Sequence, residues 1–360
     1  MKIEDMTTFD INGERCIALV RKLTVRECGR LMGVDDADID RMIASGISKS
    51  KLYKLFGNSI VVDVLYHIFR TAFIENEVIP GDLFSMMTRS MAMYNNENPL
   101  RVVTLCSGYD SQCLALERLK RDYPPFDYDL VAWSEFDPES DAELSRQPAV
   151  VAHNALFPQW KDRNLGDMTK IDWTKVPDFD LLFYSTPCQS ISQAGLQHGF
   201  VEGSGTRSSI IWNVRDALKI KHPSFCCMEN VAAMVDKKNK PVYDLWCEEL
   251  CKFGYDNYPQ VLNAKEYGVP QNRKRIFLFS QLRDVGDYRF PKAMPLTVPL
   301  ESLFEEEADV GYYVNVQKTQ RFLEDNRQMI DEFIRKAEEP IPELPDRIRK
   351  LINETPDTQQ

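Results

Sequence analysis

The sequence predicts an α/β fold with a doubly wound, mostly parallel sheet. Two observations carry this expectation. Short apolar runs of strand length recur at Arg101–Cys106, Leu130–Ser134, Phe179–Ser185, Phe225–Glu229 and Ile276–Ser280, and helix-like stretches alternate with them. The first run passes through a small-residue turn, Ser107-Gly108-Tyr109-Asp110, into a helical segment, Ser111–Lys120. In open sheets of this kind, ligands bind beyond the carboxyl ends of the strands.

The remaining elements follow in order. Residues 24–45 read as one helix, begun by Thr24 and by Glu27 three positions later in the form of a capping box. Residues 59–75 read as a second helix, with Ile60, Val64 and Ile68 on one apolar stripe. Residues 76–99 hold Pro80-Gly81 and Asn95-Asn96-Glu97-Asn98-Pro99 and read as a linker with a short helix around Leu83–Tyr94. The core follows over 100–282. Residues 283–360 begin as a Pro-containing loop and turn acidic, with an amphipathic helix expected over Arg321–Ala337, then a Pro-punctuated segment and a shorter helix.

At 360 residues the chain can hold one large domain and a small one. No apolar run reaches the length of a membrane span, so no membrane partner is expected. Met1-Lys2-Ile3-Glu4-Asp5 has no apolar core of a secretory signal. Nine scattered cysteines without metal-ligand spacing fit reduced thiols in a cytoplasm and no metal site. The net charge of −11 has the wrong sign for a simple nucleic-acid binder, and phosphate contacts would rest on local cations such as Arg21-Lys22, Arg207 and Arg273-Lys274-Arg275.

The chemistry concentrates at Asp180–Gln189, where an apolar strand runs into Thr186-Pro187-Cys188-Gln189. A thiol at a strand's carboxyl end is a candidate nucleophile, although an isolated free cysteine is as well read as a small buried hydrophobe. The turn at Ser107-Gly108-Tyr109-Asp110 stands where a Rossmann-like sheet leaves room for a cofactor, and Gly108 lets backbone approach a ligand. The next strand ends in Glu135-Phe136-Asp137, acidic groups suited to ribose hydroxyls. Asp167, beside Met168, is placed to accept from an adenine amino group.

Together with Met228-Glu229-Asn230-Val231, Gln271-Asn272-Arg273-Lys274-Arg275 and Gly57-Asn58-Ser59, these residues resemble the DNA cytosine-5 methyltransferase family. The resemblance runs from about residue 20 to 75 and from 101 to about 320. Its order is unusual: the segments like Arg21–Gly33 and Tyr53–Val62 come near the C-terminus in the common arrangement and here precede the first strand of the core. The chain therefore looks like a circular permutant, with 1–75 completing the catalytic domain and 76–99 joining it to the core. Termini that lie close together at a domain surface make such a change physically reasonable.

The resemblance implies a class I S-adenosylmethionine-dependent methyltransferase acting on cytosine in DNA, as in restriction–modification. Cys188 matches the nucleophile that attacks cytosine C6, Glu229 the acid at N3, and Arg273 and Arg275 the basic pair at O2 and the adjacent phosphate. Cofactor contacts are implied for Cys106, Ser107, Gly108, Tyr109, Asp110, Glu135, Phe136, Asp167, Met168, Pro187, Asn58 and Ser59. DNA contacts are implied for Gln189, Ser192, Ala194, Arg207 and Gln271, in and beside a loop that closes over a flipped base. The chain departs from the family's Phe-x-Gly-x-Gly turn, since Cys106 replaces the phenylalanine and Asp110 the second glycine.

The C-terminal segment is where target recognition is expected, yet it is short and acidic, and so a poor DNA reader by charge. Three readings follow: a DNA cytosine-5 methyltransferase; the same chemistry on RNA or with a partner subunit supplying recognition; and a noncatalytic binding or regulatory module. The intact Cys188, Glu229 and Arg275 set speaks against the third.

Overall fold

The computed structural model describes residues 8–11, 14–17, 20–75, 94–186, 211–283, 285–314 and 316–330. The elements in chain order are β1 (Thr8–Ile11), β2 (Glu14–Ile17), α1 (Val25–Arg30), α2 (Asp36–Ala44), α3 (Lys49–Asn58) and α4 (Val62–Phe73). Next come β3 (Leu100–Leu105), α5 (Ser111–Asp122), β4 (Tyr128–Ser134), α6 (Pro148–Leu156), β5 (Leu181–Tyr184), α7 (Val214–Lys221) and β6 (Phe225–Val231). The last are α8 (Lys240–Lys252), β7 (Tyr255–Asn263), β8 (Lys274–Leu282) and α9 (Val316–Asp325). Two compact units divide the chain, residues 28–303 and a smaller one made of 1–27 with 304–360. These limits follow contacts, whereas the expected boundary at 282/283 followed composition.

The larger unit is built on a six-stranded sheet in the order β4-β3-β5-β6-β8-β7. The first four strands are parallel, and β8 runs antiparallel between β6 and β7. This is the Rossmann-like sheet expected, with one reversed strand. β5 is buried at all four positions, as a strand covered on both faces must be. The chain order reverses between β3 and β5, so their carboxyl ends open the crevice in which such sheets bind ligands.

The elements not expected include β1, β2, α3 and β7. β7 carries the polar run Asp256-Asn257-Tyr258-Pro259-Gln260, which hides its strand character; Pro259 is tolerated because β7 is an edge strand. The signal for α3 was the pair Leu52 and Phe56, four residues apart and both buried. The helix expected over 24–45 is instead two helices. Gly33, at φ +72°, ends α1: Val34 N donates to Gly29 O at 3.1 Å and Gly33 N to Arg30 O at 2.9 Å, a Schellman arrangement. The helix expected over 59–75 forms as α4, with Ile60 packed just before it, and it packs on α5. The short helix expected at 83–94 lies, except for Tyr94, outside the described residues.

In the smaller unit β1 pairs antiparallel with β2. Val20–Lys22 pairs with Tyr312–Val314 through an antiparallel bridge and two backbone hydrogen bonds of 2.9 Å. The capping box forms: Glu27 N donates to Thr24 Oγ1 at 3.1 Å and Thr24 N to Glu27 Oε2 at 2.8 Å. The same carboxylate accepts from both Arg21 guanidinium nitrogens and from Glu305 N. Burial alone would push its pKa up, but these donors hold it below the usual carboxylate range. The amphipathic helix begins at Val316 rather than Arg321, and everything expected beyond 330 lies outside the described residues. Among the described residues no helix is long and apolar enough to cross a membrane.

Candidate functional site

A cleft of about 830 Å³ opens at the carboxyl ends of β3, β4, β5 and β6. Its floor is the corner after β3, where every second residue is left-handed: Cys106 at φ 53°, Gly108 at φ 60° and Asp110 at φ 66°. Only glycine enters that region freely, and aspartate is among the few others that tolerate it. This explains the departure at position 110. Asp110 takes the conformation a glycine would take and caps α5, accepting from Cys113 N at 3.3 Å. Its second oxygen accepts from Thr104 Oγ1 at 2.8 Å. Asp110, expected to meet the cofactor, is fully buried, accepts from these donors and is not among the residues that line the cleft.

Ten of the other expected cofactor residues line the cleft. Cys106, Ser107, Gly108 and Tyr109 line the floor; Glu135, Phe136, Asp167 and Met168 line one side; Asn58 and Ser59 line the other. Glu135 Oε2 accepts from Gly108 N at 2.7 Å, so the acidic end of β4 holds the corner of β3. Burial pushes the Glu135 carboxyl up to about 7, against the Gly108 hydrogen bond. Asp167 accepts from Thr169 N and Oγ1. Cys106 Sγ sits 3.4 Å from Met168 Sδ, giving that wall a soft surface. Ser59 Oγ reaches Ser111 Oγ at the start of α5 at 3.3 Å.

At the far end Glu229 lines the cleft with its carboxylate buried. Ser185 Oγ donates to its Oε2 at 2.8 Å, and Arg275 Nε lies 3.1 Å from its Oε1. Burial pushes the Glu229 pKa up; Arg275 and Ser185 oppose this without reversing it. Asn230 Nδ2 donates to Thr186 O at 3.1 Å, fastening the end of the described segment after β5. Ser185 and the role of Asn230 escaped the sequence reading; the available signal was a lone hydroxyl closing an apolar strand. Pro187, Cys188, Gln189, Ser192, Ala194 and Arg207 lie outside the described residues.

Arg273 and Gln271 do not line the cleft. Arg273 was expected to share a strand face with Arg275, but β8 starts at Lys274, so strand alternation does not bind Arg273. Its guanidinium donates to Gly57 O at 3.0 Å and Ser59 O at 2.6 Å, holding the C-terminal end of α3. Burial, and then the Arg275 charge, push its pKa down to about 10. Gln271 Nε2 donates to Leu31 O at 3.0 Å. Both side chains therefore fasten the N-terminal helices to the core.

The family described as C-5 cytosine-specific DNA methylase matches residues 2–73 and 100–357. The chain is 42% identical over 153 residues to Type II methyltransferase M2.ScrFI of Lactococcus lactis subsp. cremoris, covering 42% of each chain. It is 35% identical over 161 residues to Orphan methyltransferase M.SssI of Spiroplasma monobiae, covering 43% of this chain and 42% of that one. To Orphan methyltransferase M.SPRI of Bacillus phage SPR it is 28% identical over 256 residues, covering 63% of this chain and 54% of that one. The chain thus spans about half the length, or less, of these relatives. With nearly all of its residues matched in two blocks, the chain belongs to the C-5 cytosine-specific DNA methylase family.

Proposed function

We propose that the chain transfers a methyl group from S-adenosylmethionine to C5 of a flipped-out cytosine in DNA, through a covalent bond between Cys188 Sγ and C6. One observation carries the reading: a buried carboxylate, Glu229, held between Arg275 and Ser185 at the end of the strand beside the Thr-Pro-Cys corner.

The cleft suits the cofactor. The left-handed corner presents backbone at Gly108, the Glu135 carboxylate stands where ribose hydroxyls would donate, and Asp167 keeps lone pairs for an adenine amino group. When bound, S-adenosylmethionine supplies an electrophilic methyl on its sulfonium. The protein's part is to make C5 nucleophilic. The Cys188 thiolate adds to C6 and sends electron density toward N3 and C5. Glu229, kept protonated more readily by burial, donates its proton at N3. Arg275 orients Glu229 and offers a cation toward O2. After methylation solvent takes the C5 proton, the C5–C6 double bond re-forms as the thiolate departs, and the N3 proton returns to the Glu229 carboxylate.

We read 1–75 as a permuted segment completing the catalytic domain, 76–99 as the linker, 100–282 as the core and 283–360 as a target-recognition or partner-binding region. Supporting the permutation, the family match breaks between 73 and 100. Residues of the early segment are knitted to the core by Arg273 on Gly57 and Ser59, by Gln271 on Leu31, and by Arg118 on Asp63 at 3.0 Å. This activity belongs in the cytoplasm, where reduced thiols persist.

A second reading, that a partner subunit supplies target recognition, is favoured by charge. Residues 1–27 and 304–360 hold 13 Lys and Arg against 19 Asp and Glu, a poor balance for gripping phosphates. One experiment tests both. Labelled methyl transfer is measured on duplex DNA, single-stranded DNA and RNA, with Cys188→Ala as control. The expected result is duplex-dependent incorporation that the substitution abolishes. Incorporation confined to RNA would overturn the DNA assignment. Duplex methylation without sequence preference would favour the partner.

A further inference from the structure

A row of buried polar side chains runs inward from the cleft wall. Ser107 Oγ, on the wall, lies 2.9 Å from Thr104 Oγ1, which donates to Asp110 Oδ2 at 2.8 Å. His153 Nε2, on α6, lies 3.6 Å from that same oxygen. Asp110 and His153 are both fully buried. The His153 ring stacks on Trp133 of β4 with centroids 3.6 Å apart, two residues before Glu135. Neither ring nitrogen makes a hydrogen bond, so a proton on Nε2 meets no competing acceptor on its way to Asp110.

From the juxtaposition of His153 Nε2 with the left-handed, buried Asp110 carboxylate, we infer that His153 is a positioning residue for the cofactor corner. A glycine at position 110 would need no partner. An aspartate there brings a carboxylate out of water, and each lone pair left without a donor works against the corner that carries Gly108 and receives Glu135. Thr104 and Cys113 supply two donors, and His153 Nε2, 3.6 Å from Oδ2 and outside hydrogen-bond range, offers an electrostatic partner from the element packed behind Trp133. Its service is to the corner's shape. Stacking on Trp133, which any flat ring would provide, is a separate contribution. The inference rests on the cofactor reading above, and its test keeps the two apart.

The test is a double-mutant cycle on the full chain: wild type, His153→Phe, Asp110→Gly and the double variant. Calorimetry gives the affinity for S-adenosylmethionine, thermal unfolding gives the midpoint, and kinetics separate KM for the cofactor from kcat. His153→Phe keeps the stack and removes the donor. We expect it to weaken cofactor binding about tenfold and lower Tm by about 5 °C, with kcat at saturating cofactor held within about twofold. In the Asp110→Gly background the same substitution should change affinity and Tm hardly at all. His153→Gln, which restores a donor, should recover part of the affinity. Equal losses in both backgrounds would overturn the inference, leaving His153 as core packing. If His153→Phe fails to fold alone, folding in the Asp110→Gly background supports the coupling and failure in both overturns it. A wild-type chain that binds no S-adenosylmethionine sinks the proposed function, while the melting cycle still decides His153.

Discussion

Two buried carboxylates stand at the carboxyl end of the same sheet and are handled in opposite ways. Asp110 receives a hydroxyl and a backbone N–H, faces His153, and shows nothing to the cleft. Glu229 receives one hydroxyl and one guanidinium, lines the cleft, and has its pKa pushed up by burial. The first pattern fixes a backbone corner. The second leaves a carboxyl that can hold a proton and give it away. Burial alone therefore does not mark a catalytic acid; what separates the two is that Glu229 lines the cleft and Asp110 does not.

The comparison breaks most easily at Glu229. Glu229→Gln keeps the shape, with its amide oxygen accepting from Arg275 and its NH2 turned to Ser185 Oγ, but has no acidic proton to transfer, so turnover should fall by about 10²–10⁴-fold. The fold should hold its melting midpoint, because a neutral amide replaces a carboxyl that burial already disfavours as an anion. A single-turnover assay beside a thermal melt reads both; near-normal turnover removes Glu229 from the chemistry. Asp110→Ala should show the opposite pattern. It puts a Cβ-bearing residue without a capping oxygen at φ 66° and leaves the Thr104 hydroxyl with Ser107 Oγ alone. A loss of about 2–4 kcal/mol in unfolding free energy is expected, with kcat at saturating cofactor little changed. Denaturant unfolding measures it, and an unchanged midpoint would mean that the Asp110 hydrogen bonds contribute nothing net.

Much of this was legible in the sequence where one residue type does one local job. The five apolar runs became strands because strands buried on both faces need little context, and the Thr24 box formed because its partners are three residues apart. Asn58 and Ser59, expected from the family resemblance, and Glu135, expected from its place at a strand end, all line the cleft. Illegible features depended on partners remote in sequence. That β7 is an edge strand, which excuses Pro259, follows only from the strand order. Arg273 and Arg275 look alike in the chain and part company because β8 begins between them. Asp110 reads in sequence as a missing glycine; its φ and its donors from β3 and α5 turn it into a replacement.

Glu135 lies between the two extremes and sharpens the contrast. It accepts one backbone N–H, lines the cleft, and burial pushes it up from 4.5 to about 7. Ribose hydroxyls donate best to the ionised carboxylate, so cofactor affinity should rise with pH through that value. Between pH 6 and pH 8 the ionised fraction grows about tenfold, and the affinity should grow by about the same factor. The sign for the free protein is the reverse. A carboxyl whose folded pKa exceeds its unfolded one contributes stability that is fully present below the unfolded value, and that contribution is lost as pH rises through the folded one. Binding should therefore tighten over the same interval in which the ligand-free chain loses stability from this group. Calorimetric titration across pH 6 to 8, with Glu135→Gln beside the wild type, isolates the effect from the cofactor's own titration. A variant with the same pH slope as the wild type would show that Glu135, like Asp110, is spent on the corner and does not meet the ligand.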